Sequence, residues 1–146
     1  MMQSLDQSID RYYESWFGIN AAYDKWAAQN GIATNALYVL LALNDQQEPL
    51  PQRAICLRMQ LSKQTVSGVI EGFVKKGYVT STPAPDDRRQ KNVVLTAAGR
   101  RYAETVCGAL REFERRAMGD LTAKQRQALV AGSECLCAAL RRALEL

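Results

Sequence analysis

The stretch LSKQTVSGVIEGFVKKGYVTSTPAPDDRRQKNVVLTAAG, residues 61–99, decides the reading of this chain. Val66, Val69, Ile70, Phe73 and Val74 fall at i, i+3, i+4, i+7 and i+8, the spacing that gathers one apolar face on an α-helix. The opposite face carries Lys63, Gln64, Thr65, Ser67, Gly68, Glu71 and Lys75, mostly uncharged or basic hydrogen-bonding groups. Ser62 is placed to cap the start of this helix and Lys76-Gly77 to end it. Residues 78–82 and 92–95 then have the aromatic and β-branched composition of strands, and residues 83–91 between them form a turn rich in Pro, Asp and Arg. Upstream, Ile55, Cys56 and Met59 predict a short helix over residues 52–60, broken at Leu61-Ser62. The order is helix, brief turn, helix, then a hairpin with a basic loop.

Outward from this centre the chain is helical. Ile9, Tyr12, Trp16, Ile19, Tyr23 and Trp26 alternate steps of three and four and predict an amphipathic first helix stopping near Asn30-Gly31. Residues 36–43 read as a short, heavily buried second helix, and residues 45–51 as a loop. Thr96 caps a long helix to about Gly119 with Ala103, Val106, Leu110, Phe113 and Ala117 on its seam. From Thr122 a final helix carries Leu129, Leu136, Leu140 and Ala143 on one side. These terminal seams exceed what one small core covers, so a homodimer is expected. The fold class is therefore mainly α with a small β-hairpin wing. We read one domain over residues 1–146, with dimerisation helices at 1–30 and 97–146 around a winged helix-turn-helix lobe at 32–96.

Charge is distributed unevenly along this order. Residues 1–52 hold two bases against six acids, net −4; residues 53–101 hold ten bases against three acids, net +7; the remainder, seven against six, is net +1. A basic block confined to the helix pair and hairpin has the form of a nucleic-acid footprint, or of a solvated face.

Several functions are removed by composition. The chain has no histidine, which excludes imidazole-based metal sites, His general acid/base catalysis and Ser-His-Asp or Cys-His arrangements. The nine glycines are scattered singly, with no phosphate-cradling loop motif. No enzymatic constellation, cofactor or metal is expected. The start lacks the order of a signal peptide and the longest apolar run, residues 36–43, is too short for a membrane span, so a cytoplasmic protein without a membrane partner is expected. Cys56, Cys107, Cys135 and Cys137 are read as buried small apolar residues, and Cys135 and Cys137, two apart on a helix, cannot bridge each other within it.

The string Asp87-Arg88-Arg89-Gln90-Lys91-Asn92-Val93-Val94-Leu95-Thr96-Ala97-Ala98-Gly99 resembles the D-x-R…V-x-L-T-x-x-G wing of the MarR family of bacterial transcriptional regulators. Leu61 to Ser67 and Lys76-Gly77-Tyr78-Val79 resemble that family's recognition helix and its exit. The resemblance implies a winged helix-turn-helix whose second helix enters the major groove of double-stranded DNA while the wing reaches the minor groove. On it, Ser62, Lys63, Gln64, Thr65, Ser67 and Gly68 would face the major groove, with Gln64 suited to adenine and Lys63 to guanine or phosphate. Asp87 would hold the Arg89 guanidinium, since residues two apart in extended chain share a face; Arg89 would read the minor groove and Arg88 and Lys91 would meet phosphates. Gly68, where many members carry arginine or another large polar residue, and Pro51, where Ser or Thr is common, depart from the family pattern.

Family members are commonly released from DNA by small aromatic acids, phenols or other hydrophobic compounds, or by cysteine oxidation. Trp16, Tyr23, Trp26 and Tyr38 are the candidate lining of an aromatic or phenolic effector pocket, or plain core and dimer packing. The reading is a dimeric repressor on a pseudo-palindromic operator. Its alternative is an antirepressor-like interaction protein that binds a protein partner instead of DNA, and the two part on salt dependence.

Overall fold

The computed structural model describes residues 3–145. Its elements are helices α1 (Leu5–Gln29) and α2 (Thr34–Asn44), strand β1 (Leu50–Pro51), helices α3 (Gln52–Met59) and α4 (Lys63–Lys75), strands β2 (Val79–Pro83) and β3 (Lys91–Leu95), and helices α5 (Ala97–Gly119) and α6 (Ala123–Leu144). Contacts group them into two compact units, which divide within α5 at Cys107 and Gly108.

The first unit is built on α2. Leu37, Val39, Leu40, Ala42 and Leu43 are all buried there, as the unbroken apolar run predicts. Ile55 of α3, Val66, Ile70 and Phe73 of α4, Val79, Val93 and Leu95 of the sheet, and Ala103 and Val106 of α5 extend the core, with Trp26, Ala27 and Ile32 buried at and just past the end of α1. The sequence reading of α4 holds for Val66, Ile70 and Phe73, whereas Val74 is 43% exposed at the edge of a groove described below.

The sheet has three strands in the order β1-β3-β2, all antiparallel. The hairpin register runs from Val79↔Leu95 to Pro83↔Lys91. Strand β1 corrects the expectation of a loop over residues 45–51: Leu50 pairs with Val93 and Pro51 with Asn92. Two residues, one of them proline, carry no alternating pattern, and a proline fits because the strand lies at the sheet edge.

Local chemistry ends the elements where expected. Gly31 and Gly77 take positive φ (70° and 75°) behind α1 and α4. The break after α3 is made by Gln60, which adopts φ 53° while its side chain donates to the Leu57 carbonyl at 2.7 Å. The Arg100 guanidinium donates to the carbonyls of Asn44 (2.8 Å) and Gln46 (2.6 Å), closing the last turn of α2 from α5. Arg58 pairs with Asp45 at 2.9 Å and ties α3 to the same corner.

In the second unit, Thr122 and Gln125 form a reciprocal capping box at the start of α6. Arg126 reaches back to the carbonyls of Met118 and Leu121 at the end of α5. Helix α6 has no buried residue: Leu129, Val130, Leu140 and Leu144 are exposed, 41% to 87%. The expectation that all four cysteines are buried is corrected here. Cys107 is buried and Cys56 half-buried, but Cys135 and Cys137 stand exposed on α6, because nothing in its own unit covers that helix. Among the described residues no helix is long and apolar enough to cross a membrane, and no group of three or more His, Cys, Asp or Glu could hold a metal.

Candidate nucleic-acid interface

Ser62 sets the start of α4. Its hydroxyl accepts from the Thr65 N–H at 3.1 Å and donates to the Thr65 hydroxyl at 2.8 Å, so both side chains are committed to the cap. The solvent face of the first two turns is then left to Lys63, Gln64 and Gly68, all exposed, with Ser67 half-buried. A Cβ at Gly68 would meet nothing within 4 Å, so its absence opens the face.

At the other end, α4 is held by a tight joint to α5. Tyr78 N–H returns to the Phe73 carbonyl at 2.9 Å. Thr96 donates its backbone N–H to the Tyr78 carbonyl (2.9 Å) and its hydroxyl to the Gly77 carbonyl (2.6 Å), and the same hydroxyl accepts from Gly99 N–H at 3.0 Å. Gly99 is buried against this turn: a Cβ there would lie 2.7 Å from the Tyr78 carbonyl carbon and nearer still to its oxygen. The Tyr78 and Tyr102 rings stack beside it, centroids 4.5 Å apart at 12°. Burial, then the Tyr78 phenol and the Cys107 thiol, push the Tyr102 phenol above its ordinary value. Thr96 and Gly99 thus aim the exit of α4; the sequence shows them only as letters of a motif, though a glycine in the first turn of a helix is itself a sign of close backbone approach.

The hairpin carries Arg88, Arg89 and Lys91 exposed at its tip, together with Asp86 and Asp87. Asp87 does not act as expected. Its carboxylate accepts from the backbone N–H of Arg89 at 3.0 Å, not from the guanidinium. Residues 87–90 are a turn, closed by Gln90 N–H on the Asp87 carbonyl at 2.9 Å, so the shared-face geometry of extended chain does not apply. Asp87 shapes the wing tip and leaves the Arg89 side chain projecting.

Of the ten bases counted over residues 53–101, Arg58 is paired with Asp45 and Arg100 is consumed by carbonyls. The other eight are exposed. Between α4 and the hairpin lies a groove of about 310 Å³ lined by Gln52, Ser67, Ile70, Glu71, Val74, Lys75, Ser81, Thr82, Pro83 and Lys91.

The four aromatic residues separate along α1 and α2. Trp26 is buried, Tyr23 and Tyr38 are half-buried, and Trp16 is 47% exposed with its ring edge-on to Phe17 at 5.1 Å. Burial, then Asp24, raise the Tyr38 phenol above its ordinary value. Thr34 donates to Asp24 at 2.6 Å and locks α2 to the last turns of α1.

Comparison with known proteins agrees with this geometry. A family model described as MarR family matches residues 30–90. The chain is 28% identical over 108 residues to the HTH-type transcriptional regulator SarZ of Staphylococcus saprophyticus, covering 70% of this chain and 73% of that protein. It is 26% identical over 110 residues to the HTH-type transcriptional repressor NicR of Pseudomonas putida, covering 75% and 69%. Among solved structures it is similar to NMB1585, a MarR family regulator from Neisseria meningitidis, with TM-score 0.78 and 27% identity over 99% of this chain and 98% of that one. With α4 in the place of the recognition helix and β2–β3 in that of the wing, residues 30–90 match the MarR family model and the chain is similar over nearly its whole length to a MarR family regulator of known structure.

Proposed function

We propose that this chain is a repressor that binds double-stranded DNA as a homodimer, reads a pseudo-palindromic operator with half-sites about one helical turn apart, and is released by a small aromatic or phenolic ligand. The observation that carries the reading is the juxtaposition on one unit of an open helix face and a charged hairpin tip. Lys63 and Gln64 are exposed at the start of α4, and Arg88, Arg89 and Lys91 project from the wing. Gln64 suits adenine, Lys63 guanine or phosphate, and Arg89 a narrow minor groove. Ser62 and Thr65 contribute by fixing the helix start, and Ser67 and Gly68 by leaving room for the duplex.

Dimerisation is supported by apolar surface that the chain does not cover. Leu5, Ile9, Tyr12, Tyr13, Trp16, Phe17 and Ile19 of α1 are all 41% or more exposed, with the Phe17 ring against those of Tyr13 and Trp16. A second copy of the chain is the occupant that a symmetric apolar seam requires. For the effector, Tyr23 and Tyr38, both half-buried, and the buried Trp26 would supply flat apolar walls and phenolic hydroxyls.

The test is selection of bound duplexes from a random pool, followed by titration of the selected duplex at several salt concentrations. An enriched palindrome bound with two chains per duplex, and affinity falling steeply with salt, is expected. Absence of enrichment together with weak binding at low salt refutes the DNA reading and favours a protein partner.

A further inference from the structure

A duplex that receives one protein element in its major groove and another in the adjoining minor groove must pass the sugar-phosphate strand dividing those grooves between the two elements. In this chain the space between α4 and the wing is the groove of about 310 Å³. One wall is the stripe Ser67, Glu71 and Lys75, four residues apart and hence on one helix face. The other is Thr82 and Pro83 of β2 with Lys91 of β3, where Pro83 and Lys91 are the last pair of the hairpin register. The Ser81 hydroxyl oxygen, buried beneath, finds no hydrogen-bond partner among the described residues.

Two lysines, one lining each wall of a channel, suit a phosphate strand. A carboxylate in the same wall opposes one. Glu71 is exposed and belongs to none of the ion pairs among the described residues, so no direct contact with either lysine ties up its carboxylate. Resting on the DNA-binding reading above, we propose that this groove is the track of the sugar-phosphate strand, held by Lys75 and Lys91, and that Glu71 is an electrostatic brake within it that limits affinity and sharpens release. A brake of this kind sits in the phosphate path without reading a base, so it weakens all sequences alike and leaves the choice of operator to the α4 face and the wing tip.

The test compares full-length Glu71→Gln, Lys75→Ala and Lys91→Ala with Glu134→Gln, which makes the same change of net charge on α6 outside the groove. Each is titrated against the duplex selected from the random pool at several salt concentrations, with thermal unfolding as the check on folding. Glu71→Gln is expected to tighten binding about three- to tenfold at ~50 mM salt, with the gain shrinking as salt rises, because exposed charges are screened. Lys75→Ala and Lys91→Ala are expected to weaken binding and to flatten the slope of log K against log salt by up to about one unit each. Glu134→Gln is expected to stay within about twofold of the unmodified protein. Binding by the unmodified protein with Glu71→Gln no different from Glu134→Gln, or a slope unchanged in both lysine variants, overturns this proposal alone. Failure of the unmodified protein to bind any duplex at low salt overturns the proposed function and this proposal with it.

Discussion

Replacing Gly99 by alanine adds one methyl group at the joint between α4 and α5, and the structure gives it no room. The new Cβ would sit 2.7 Å from the Tyr78 carbonyl carbon and 3.0 Å from its Cα, both backbone atoms that no rotamer change can move aside. Ordinary carbon contacts begin near ~3.5 Å, so the Tyr78 backbone must retreat by roughly 1 Å. That same carbonyl accepts the Thr96 N–H at 2.9 Å, and the neighbouring Gly77 carbonyl accepts the Thr96 hydroxyl at 2.6 Å. Overpacking of this kind costs about 1–3 kcal/mol, and weakening one or two hydrogen bonds adds about 1 kcal/mol each. The helix preference for alanine over glycine returns only about 0.5–1 kcal/mol. The net loss is then about 1–4.5 kcal/mol, or a fall in Tm of roughly 2–18 °C for a chain of this size. Gly68→Ala is the matched control, since its Cβ meets nothing within 4 Å inside α4; it should gain about 0.5–1 kcal/mol. Thermal unfolding at equal protein concentration compares the pair, the concentration being fixed because dissociation of the proposed dimer would shift Tm. Gly99→Ala as stable as the unmodified chain would refute the close-approach argument.

Four further outcomes follow from particular groups. Arg89→Ala should lose on the order of 1–3 kcal/mol of DNA affinity. Asp87→Ala should lose part of that while Asp87→Asn recovers it, because an amide oxygen can still accept the Arg89 N–H; a titration in which Asn fails to rescue would restore the guanidinium role. Arg100→Met leaves the Asn44 and Gln46 carbonyls without their donor and should cost about 1.5–3 kcal/mol of stability in denaturant unfolding. Its slope of DNA affinity against salt should be unchanged, and a flattened slope would place Arg100 on phosphate instead. Tyr38 and Tyr102 ionise above the ordinary 10.0 in the folded chain, so the stability they contribute is fully present below pH 10 and is lost as pH rises through their folded values. Tyrosinate absorbance followed through an alkaline titration checks this, and ionisation of both at or below 10.0 would contradict it.

The elements that carry their own pattern were legible before any coordinates. Helix α4 announces itself through five apolar residues at helical spacing, a serine cap and a glycine stop. The wing announces itself through two β-branched runs around a Pro, Asp and Arg turn. Both come from interactions within a few residues, which the order of the chain records directly. Strand β1 was invisible because its two residues become a strand only when Val93 and Asn92 arrive beside them. The role of Asp87 was misassigned for a related reason: which donor a carboxylate meets depends on whether the backbone is extended or turned, and the closing Gln90 N–H makes it a turn. The basic block was legible as a sum and not as a site, since Arg100 counts toward it by charge yet spends its donors on α2 carbonyls.

By itself, then, the sequence determined the order of elements, the absence of histidine chemistry, the polar face of α4 and the basic wing, because each follows from residue type and short-range spacing. Only the tertiary structure decided that Gly99 abuts the Tyr78 backbone, that Arg100 caps a helix ending 54 to 56 residues earlier, and that Glu71 shares a groove with Lys75 and Lys91. Those are relations between segments far apart in the chain. Their distances are set by how α2, α4 and the sheet pack around the common core, and no local periodicity encodes them.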